Sequence, residues 1–499
     1  MARRKSTQRP ASRGSGKKSS SGKNKNIWVI VGCVAAIAII GIIIWRMIDN
    51  PDYEFRRADL DKFATYPKEM PVLNNGAGVY LDMSDGMNFA YATPDSKLIL
   101  QGIINKLAAE NVISFNGLAD GNIFPLEMTH TALYNYLLNQ SNYQKQRAPI
   151  EETLKVIYEK KQPALLLTDY EEYKGGVIEK AAYAKRYFTD WIAEGYNIYF
   201  YKYPFVEKGK EKNMFITVFD DNAERLNTLV ATALQTSGTN IIEEFVLAGK
   251  DFAFPMKVDY ENYQKGGGYH NANGVDAVTN IQEKGGPEDY YNYSQPYAES
   301  SGKGGYAPLN QGIGSLAEYY PIGVSWKEAV DNARAYMEVG GNEIPFTHLL
   351  SKLYINLKAQ NGYTIEDIEA RAFDMSETIK LANDSIPMSE LIDRKNPEVT
   401  VFLTASKDEI GGALPGWEEI KVDFDANFHG VLPNHDPKAL YRVNIIISKA
   451  TPNIQQVRSY FSWGDNPSLA DSVIETLTAP SSNPKGRILY TYYLRSLGE

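Results

Sequence analysis

Two short stretches hold the residues best suited to chemistry. In GVYLDMSDGMNFAY, residues 78 to 91, an apolar run stops at Asp82, and Ser84, Asp85 and Gly86 follow at once. In PALLLTDYEEY, residues 163 to 173, a second apolar run stops at Thr168 and Asp169, with Glu171 and Glu172 just beyond. Carboxylates and hydroxyls are hard oxygen donors. Mg²⁺ takes few protein carboxylates and keeps waters or an incoming ligand in its remaining positions. The plainer alternative for Asp82 is an acid that caps the turn after its strand.

The elements that must position these acids alternate between strand and helix. GVYLDM reads as a buried strand, and PDSKLILQGIINKLAAENV as a helix with an apolar set at Leu98, Ile103, Ile104 and Leu107. VISFNGL is a strand and MTHTALYNYLLNQ a short helix. APIEETLKVIYEKK opens at Pro149 and buries Ile150, Leu154 and Ile157. GVIEKAAYAKRYFTDWIAEG is expected to be helical up to a stop at Gly195. Strands NIYFYKYPF and KNMFITVFDD, helix ERLNTLVATALQTS and strand EEFVLAGKDFAF complete the series. This alternation predicts a parallel sheet covered on both faces, a doubly wound, Rossmann-type α/β unit over residues 76–256. Ligands of such sheets bind beyond the carboxyl ends of the strands, where Asp82 and Asp169 both fall.

Residues 76–256 resemble the von Willebrand factor A family. That family's metal-ion-dependent adhesion site uses Asp-x-Ser-x-Ser after the first strand, a Thr from a later loop and an Asp after the fourth strand. The matching residues are Asp82, Ser84 and Asp169, the last in a Thr168-Asp169 pair where the family often has Thr-Asp-Gly. RAPIEETLKVIYEKKQPALLLTD is similar to the family's third helix and fourth strand. The resemblance implies that Asp82, Ser84 and Asp169 hold Mg²⁺ or another divalent cation, with a partner's carboxylate completing the octahedron. Gly86 stands in place of the second Ser and Ala148 in place of the Thr, with Thr129 or Thr131 as substitutes if the loop runs differently. A metal-free A-like scaffold is the other outcome. Residues 169–173 could contact a partner without metal; a solvated loop is the plainer reading.

An enzyme is the rival class. A metal-dependent nuclease would use Asp82, Asp169 and Glu171 at the strand ends, and a haloacid-dehalogenase phosphatase would want an Asp where Ser84 stands. His130, His270, His348, His429 and His435 are scattered, with no metal or nucleophile spacing. Glycine clusters such as GGGYHNANG lack the strand-to-helix context of a phosphate loop.

Residues 1–26 carry nine Lys or Arg and no acid among Ser, Gly, Pro and Thr, so they cannot bury enough surface to fold. Residues 27–48 follow as an apolar run, uncharged up to Arg46, with Trp28 and Trp45 at interfacial positions. About 20 such residues span a bilayer of roughly 30 Å. Positive charge ahead of the run places the N-terminus in the cytoplasm and the rest outside an inner membrane. A cleaved signal peptide shares this charge order but usually has a shorter apolar region ending in small residues, and WRMI ends this one. The chain's net charge of −9 leaves −18 after the tail, which argues against nucleic acid as a partner. Cys33, the only cysteine, lies inside the apolar run, so the exported part has no disulfide and no cysteine-based zinc site.

Residues 49–75 read as a stalk and 257–312 as a Gly/Tyr-rich linker or excursion. Residues 313–499 are strand-rich and suggest one or two β-sandwich-like modules, with a boundary near 395. The expectation is a membrane-anchored extracytoplasmic protein that binds protein partners in the cell envelope, as an adhesin or an assembly subunit, with a homo-oligomer as one form. A metal-dependent hydrolase is the alternative.

Overall fold

β1 (Ala77–Asp82) is apolar on both faces and its last five residues are buried, as a central strand with helices above and below requires. The computed structural model describes residues 73–108, 113–143, 147–238, 243–250, 252, 254–259, 306–309, 318–322, 348–359, 362–374, 396–399, 402–410, 415–425, 427–430, 441–464 and 466–496. The expected tail, membrane helix (27–48), most of the stalk, most of the linker and the boundary near 395 lie outside these residues. Among the described residues no helix is long and apolar enough to cross a membrane.

After β1 come α1 (Asp85–Ala92), α2 (Pro94–Ala108), β2 (Ile113–Ala119) and β3 (Asn122–Pro125). α3 (His130–Leu138), α4 (Ile150–Lys160) and β4 (Ala164–Thr168) follow. A small hairpin, β5 (Tyr173–Lys174) and β6 (Val177–Ile178), precedes α5 (Lys185–Ala193). β7 (Asn197–Glu207), β8 (Lys210–Asp220), α6 (Arg225–Thr236) and β9 (Glu243–Leu247) complete the α/β part. Its seven strands lie in the order β3-β2-β1-β4-β8-β7-β9.

Only the β2-β1-β4 core pairs in parallel. β8 runs antiparallel to β4 and to β7, and β9 runs antiparallel to β7, so the sheet is mixed where the sequence pattern predicts a parallel one. The cause is one turn. Lys208 (φ 49°) and Gly209 (φ 84°) make a two-residue connection with both residues left-handed, the hairpin geometry, and two residues cannot form a crossover. The Asp120-Gly121 turn joins β2 to β3 in the same way.

Other sequence expectations shift locally. The turn after Asp82 is short and leads directly into the helix α1 at Asp85, which the sequence reading does not include. Residues 177–184 are not helical: Val177 and Ile178 pair with β5, and α5 begins at Lys185. In α2 the buried set is Ile99, Leu100, Ile103, Ile104 and Leu107, while Leu98 is 50% exposed because it lies off that stripe. α4 buries Ile150, Leu154 and Ile157.

The C-terminal strands form two further sheets. β10 (Met256–Asp259), β11 (Tyr306–Leu309), β13 (His348–Ile355), β16 (Leu403–Glu409) and β17 (Glu418–Phe424) form one, in the order β11-β10-β13-β17-β16. β12 (Glu318–Ile322), β14 (Tyr363–Asp374), β15 (Glu398–Val399), β18 (Tyr441–Pro452) and β19 (Ile488–Ser496) form the other, in the order β12-β19-β18-β14-β15.

Between β18 and β19 lie α7 (Ile454–Phe461) and α8 (Ser468–Thr478), and these pack on the α/β part. The Phe461 ring sits 5.0 Å from Phe200, 5.6 Å from Phe215 and 4.8 Å from Phe245, on β7, β8 and β9. The Tyr460 hydroxyl lies 2.8 Å from the Phe200 carbonyl and 2.5 Å from that of Glu243, and donates to one at a time. Ser472 of α8 accepts the Ala184 N–H at the start of α5, at 3.2 Å. β7 alternates accordingly. Phe200 faces α5 and α7, while Tyr201 and Tyr203 reach Asn227 of α6 and Thr93 beside α2, at 2.7 and 2.6 Å. The helices that finish one face of the first sheet thus come from within residues 313–499.

Candidate functional site

The parallel pairing of β1 with β4 runs in register up to Leu81 and Leu167, so Asp82 and Thr168 leave the sheet side by side. The Thr168 hydroxyl donates to Asp82 Oδ2 at 2.6 Å, and the Ser84 N–H donates to Asp82 Oδ1 at 2.8 Å. Both carboxylate oxygens are therefore engaged inside the protein. Asp82 is buried, which raises its pKa above the usual carboxylate range, while the bonds from Thr168 and Ser84 pull it back down.

Asp169 follows in a turn of unusual conformation. Tyr170 sits at φ 57°, a left-handed position that a bulky aromatic rarely adopts and that costs on the order of 1–3 kcal/mol. Its ring is fully buried beside Phe188, Phe200 and Phe215. Its hydroxyl bonds the Thr217 hydroxyl at 3.0 Å, and its carbonyl accepts from the Tyr183 hydroxyl at 3.0 Å. This packing holds the strained turn, and the turn aims Asp169 and Glu171 at the same point. Glu172 points the other way and accepts the Glu151 N–H at 2.9 Å, at the start of α4. Residues 169–172 are thus tied down: Tyr170 is fully buried, Asp169 and Glu172 nearly so, and this is no solvated loop.

The point they converge on is Lys212. β8 outruns β4: Thr168 pairs with Phe215, and the residues from Lys210 to Met214 project beyond the end of β4. Lys212 Nζ lies 2.8 Å from Glu171 Oε2, 2.6 Å from Glu207 Oε2 and 3.8 Å from Asp169 Oδ2. Its side chain is 14% exposed. Burial alone would lower its pKa, but Asp169, Glu171 and Glu207 outweigh that and hold it above its ordinary value. Burial likewise acts to raise Glu207, and the Lys212 ammonium overcomes it, leaving Glu207 below its usual value. Asp169 stays well above the usual range, through burial first and then the charges of Glu171 and Asp82.

Gly86 opens onto the same point. A Cβ there would stand 3.4 Å from Asp169 Oδ2, 3.6 Å from Glu207 Oε2 and 3.8 Å from Lys212 Nζ. The neighbouring Asp85 pairs with Lys208 at 3.5 Å, and Lys208 also lies over the Phe89 ring, so the hairpin tip is seated on α1. Of the substitute hydroxyls, Thr129 caps α3 by accepting the Ala132 N–H at 3.3 Å, and Thr131 is exposed. Ala148, which the resemblance sets in place of a Thr, is buried.

Of the sequence-derived set, Asp82 and Asp169 are brought together and Ser84 contributes its N–H to Asp82. These residues do not fit a resident divalent ion with Lys212 in place. The Lys212 ammonium already occupies the point where Asp169, Glu171 and Glu207 converge, so an ion there would have to displace it. Among the described residues no three His, Cys, Asp or Glu side chains form a metal-holding group. Sequence reasoning missed Lys212 and Glu207, because only the pairing of β8 with β4 and β7 carries them to the strand ends. The local trace of that pairing is Lys208-Gly209 between two apolar runs, which lacks the Asn-Gly or Asp-Gly type that marks a two-residue hairpin. Two clefts elsewhere, on β14-β18-β19 and beside β14 and Lys407, contain no His or Cys. No protein-family model, no curated protein and no solved structure matches the chain.

Proposed function

We propose that the chain is a single-pass inner-membrane protein whose extracytoplasmic, von Willebrand factor A-like α/β part binds a protein partner in the cell envelope, without catalysis. The observation that supports this reading is the state of the strand-end acids. Asp82 is spent on Thr168 and Ser84, and Asp169 and Glu171 face Lys212. Each of the three acids is thus held by a partner inside the protein, an arrangement suited to a fixed scaffold. Val177 on the β5-β6 hairpin and Val206 near the β7-β8 tip, on the two hairpins nearest in sequence to Glu171 and Glu207, are 69% and 58% exposed and serve as probe positions.

A photo-crosslinking residue placed at Val177 or Val206 in cells tests the reading, with Leu98 on α2 as the control position. The expected result is one crosslinked species from the two hairpin positions and none from Leu98. Chelator-sensitive phosphodiester or phosphomonoester hydrolysis by the purified full chain, lost in Asp82→Asn, would instead make it a hydrolase.

A further inference from the structure

We propose that Lys212 is the resident cation of the strand-end cluster, a tethered ammonium at the point where the motif in β1 and β4 would call for a divalent metal. Three features support this. The ammonium contacts two carboxylates at salt-bridge distance and approaches a third, and all three are at least 85% buried. The position vacated by a motif hydroxyl, Gly86, opens toward the same nitrogen. The hairpin that delivers Lys212 is fixed from both sides, by eleven paired positions with β7 and by the Lys208 contacts to α1.

A lysine in this role changes what the protein depends on. A metal site responds to divalent-ion concentration and to chelators, whereas a covalently attached cation does not. The cluster is assembled when β8 pairs with β4 and β7, with no bound ion needed to complete it. The inference stands apart from the partner reading, since a hydrolase or an adhesin could equally carry the lysine.

The test is the thermal stability of the full chain in detergent, with chelator or with millimolar Mn²⁺. Wild-type protein is expected to melt at the same temperature in both, and Lys212→Arg to stay close to it. Lys212→Ala should melt several degrees lower in chelator and recover part of the loss in Mn²⁺. That recovery should vanish when Asp169→Asn is added, a readout that lost packing alone would not give. A wild-type melting temperature that falls in chelator overturns the proposal, and this arm holds even if Lys212→Ala fails to fold. A Lys212→Ala protein as stable as wild type, or one that Mn²⁺ does not rescue, overturns it as well.

Discussion

At the scale of single residues, burial sets the behaviour of the acids that close the strands. Asp220 ends β8 fully buried and is pushed up to about 7 by desolvation, although the N–H groups of Asn227 and Asp221 pull the other way from 2.8 and 3.0 Å. A carboxyl raised in the folded state contributes stability below its unfolded value, about 3.9, and loses it as pH rises through the folded one. Stability should therefore fall between about pH 4 and 7, by up to about 1.4 kcal/mol per unit from this group. Asp220→Asn carries no charge and should lose that slope relative to wild type in pH-dependent melting; parallel curves would show that the site does not hold the proton. The same scale shows what the sequence could disclose. Asp82 and Asp169 were legible because each breaks an apolar run, a local signal. Lys212 sits among ordinary charged residues in KGKEKN, and its importance comes from partners 41 and 43 residues back, Glu171 and Asp169.

Elements tell a similar story of local and distant information. The helical stripe of α4 and the buried strands β1 and β4 follow from periodicity and run length, and both were readable. Sheet direction was not, because a two-residue turn looks like a minor loop until its φ values are known. The pair α7-α8 was readable only in part: SLADSVIETLT has a helical pattern, but nothing local says that it will pack on the start of α5, 288 residues earlier in the chain. Phe461 is fully buried between Phe200, Phe215 and Phe245, and truncating such a ring typically costs about 3–5 kcal/mol. Phe461→Ala should therefore destabilise the α/β part. Hydrogen exchange is the measurement, with the β7, β8 and β9 amides expected to lose protection. Exchange increased only in the C-terminal sheets would mean that the helix pair is not part of this core. Gly362 marks the same junction, since a Cβ there would meet Leu477 at 2.6 Å and Phe245 at 2.9 Å.

For the whole molecule, the described residues belong to one compact unit, so the partition of the sequence into an α/β stretch and a β-rich stretch is not a partition of the packing. The proposed orientation follows from the nine basic residues ahead of the apolar run at 27–48. With Cys33→Ser as background, Ser481→Cys should react with an impermeant maleimide in spheroplasts, and Ser19→Cys only after lysis. The reverse pattern would turn the protein around. The net charge of −18 beyond the tail adds that, in the proposed orientation, the part outside suits a basic or neutral partner over a polyanion.

The central claim is that the acids at the ends of β1 and β4 are closed by a lysine and form part of a binding scaffold. Calorimetric titration of Mg²⁺ and Mn²⁺ into the full wild-type chain tests it most directly. The account predicts no saturable heat from either ion. One equivalent of saturable binding, abolished in both Asp82→Asn and Asp169→Asn, would contradict it and establish a working metal centre at those strand ends.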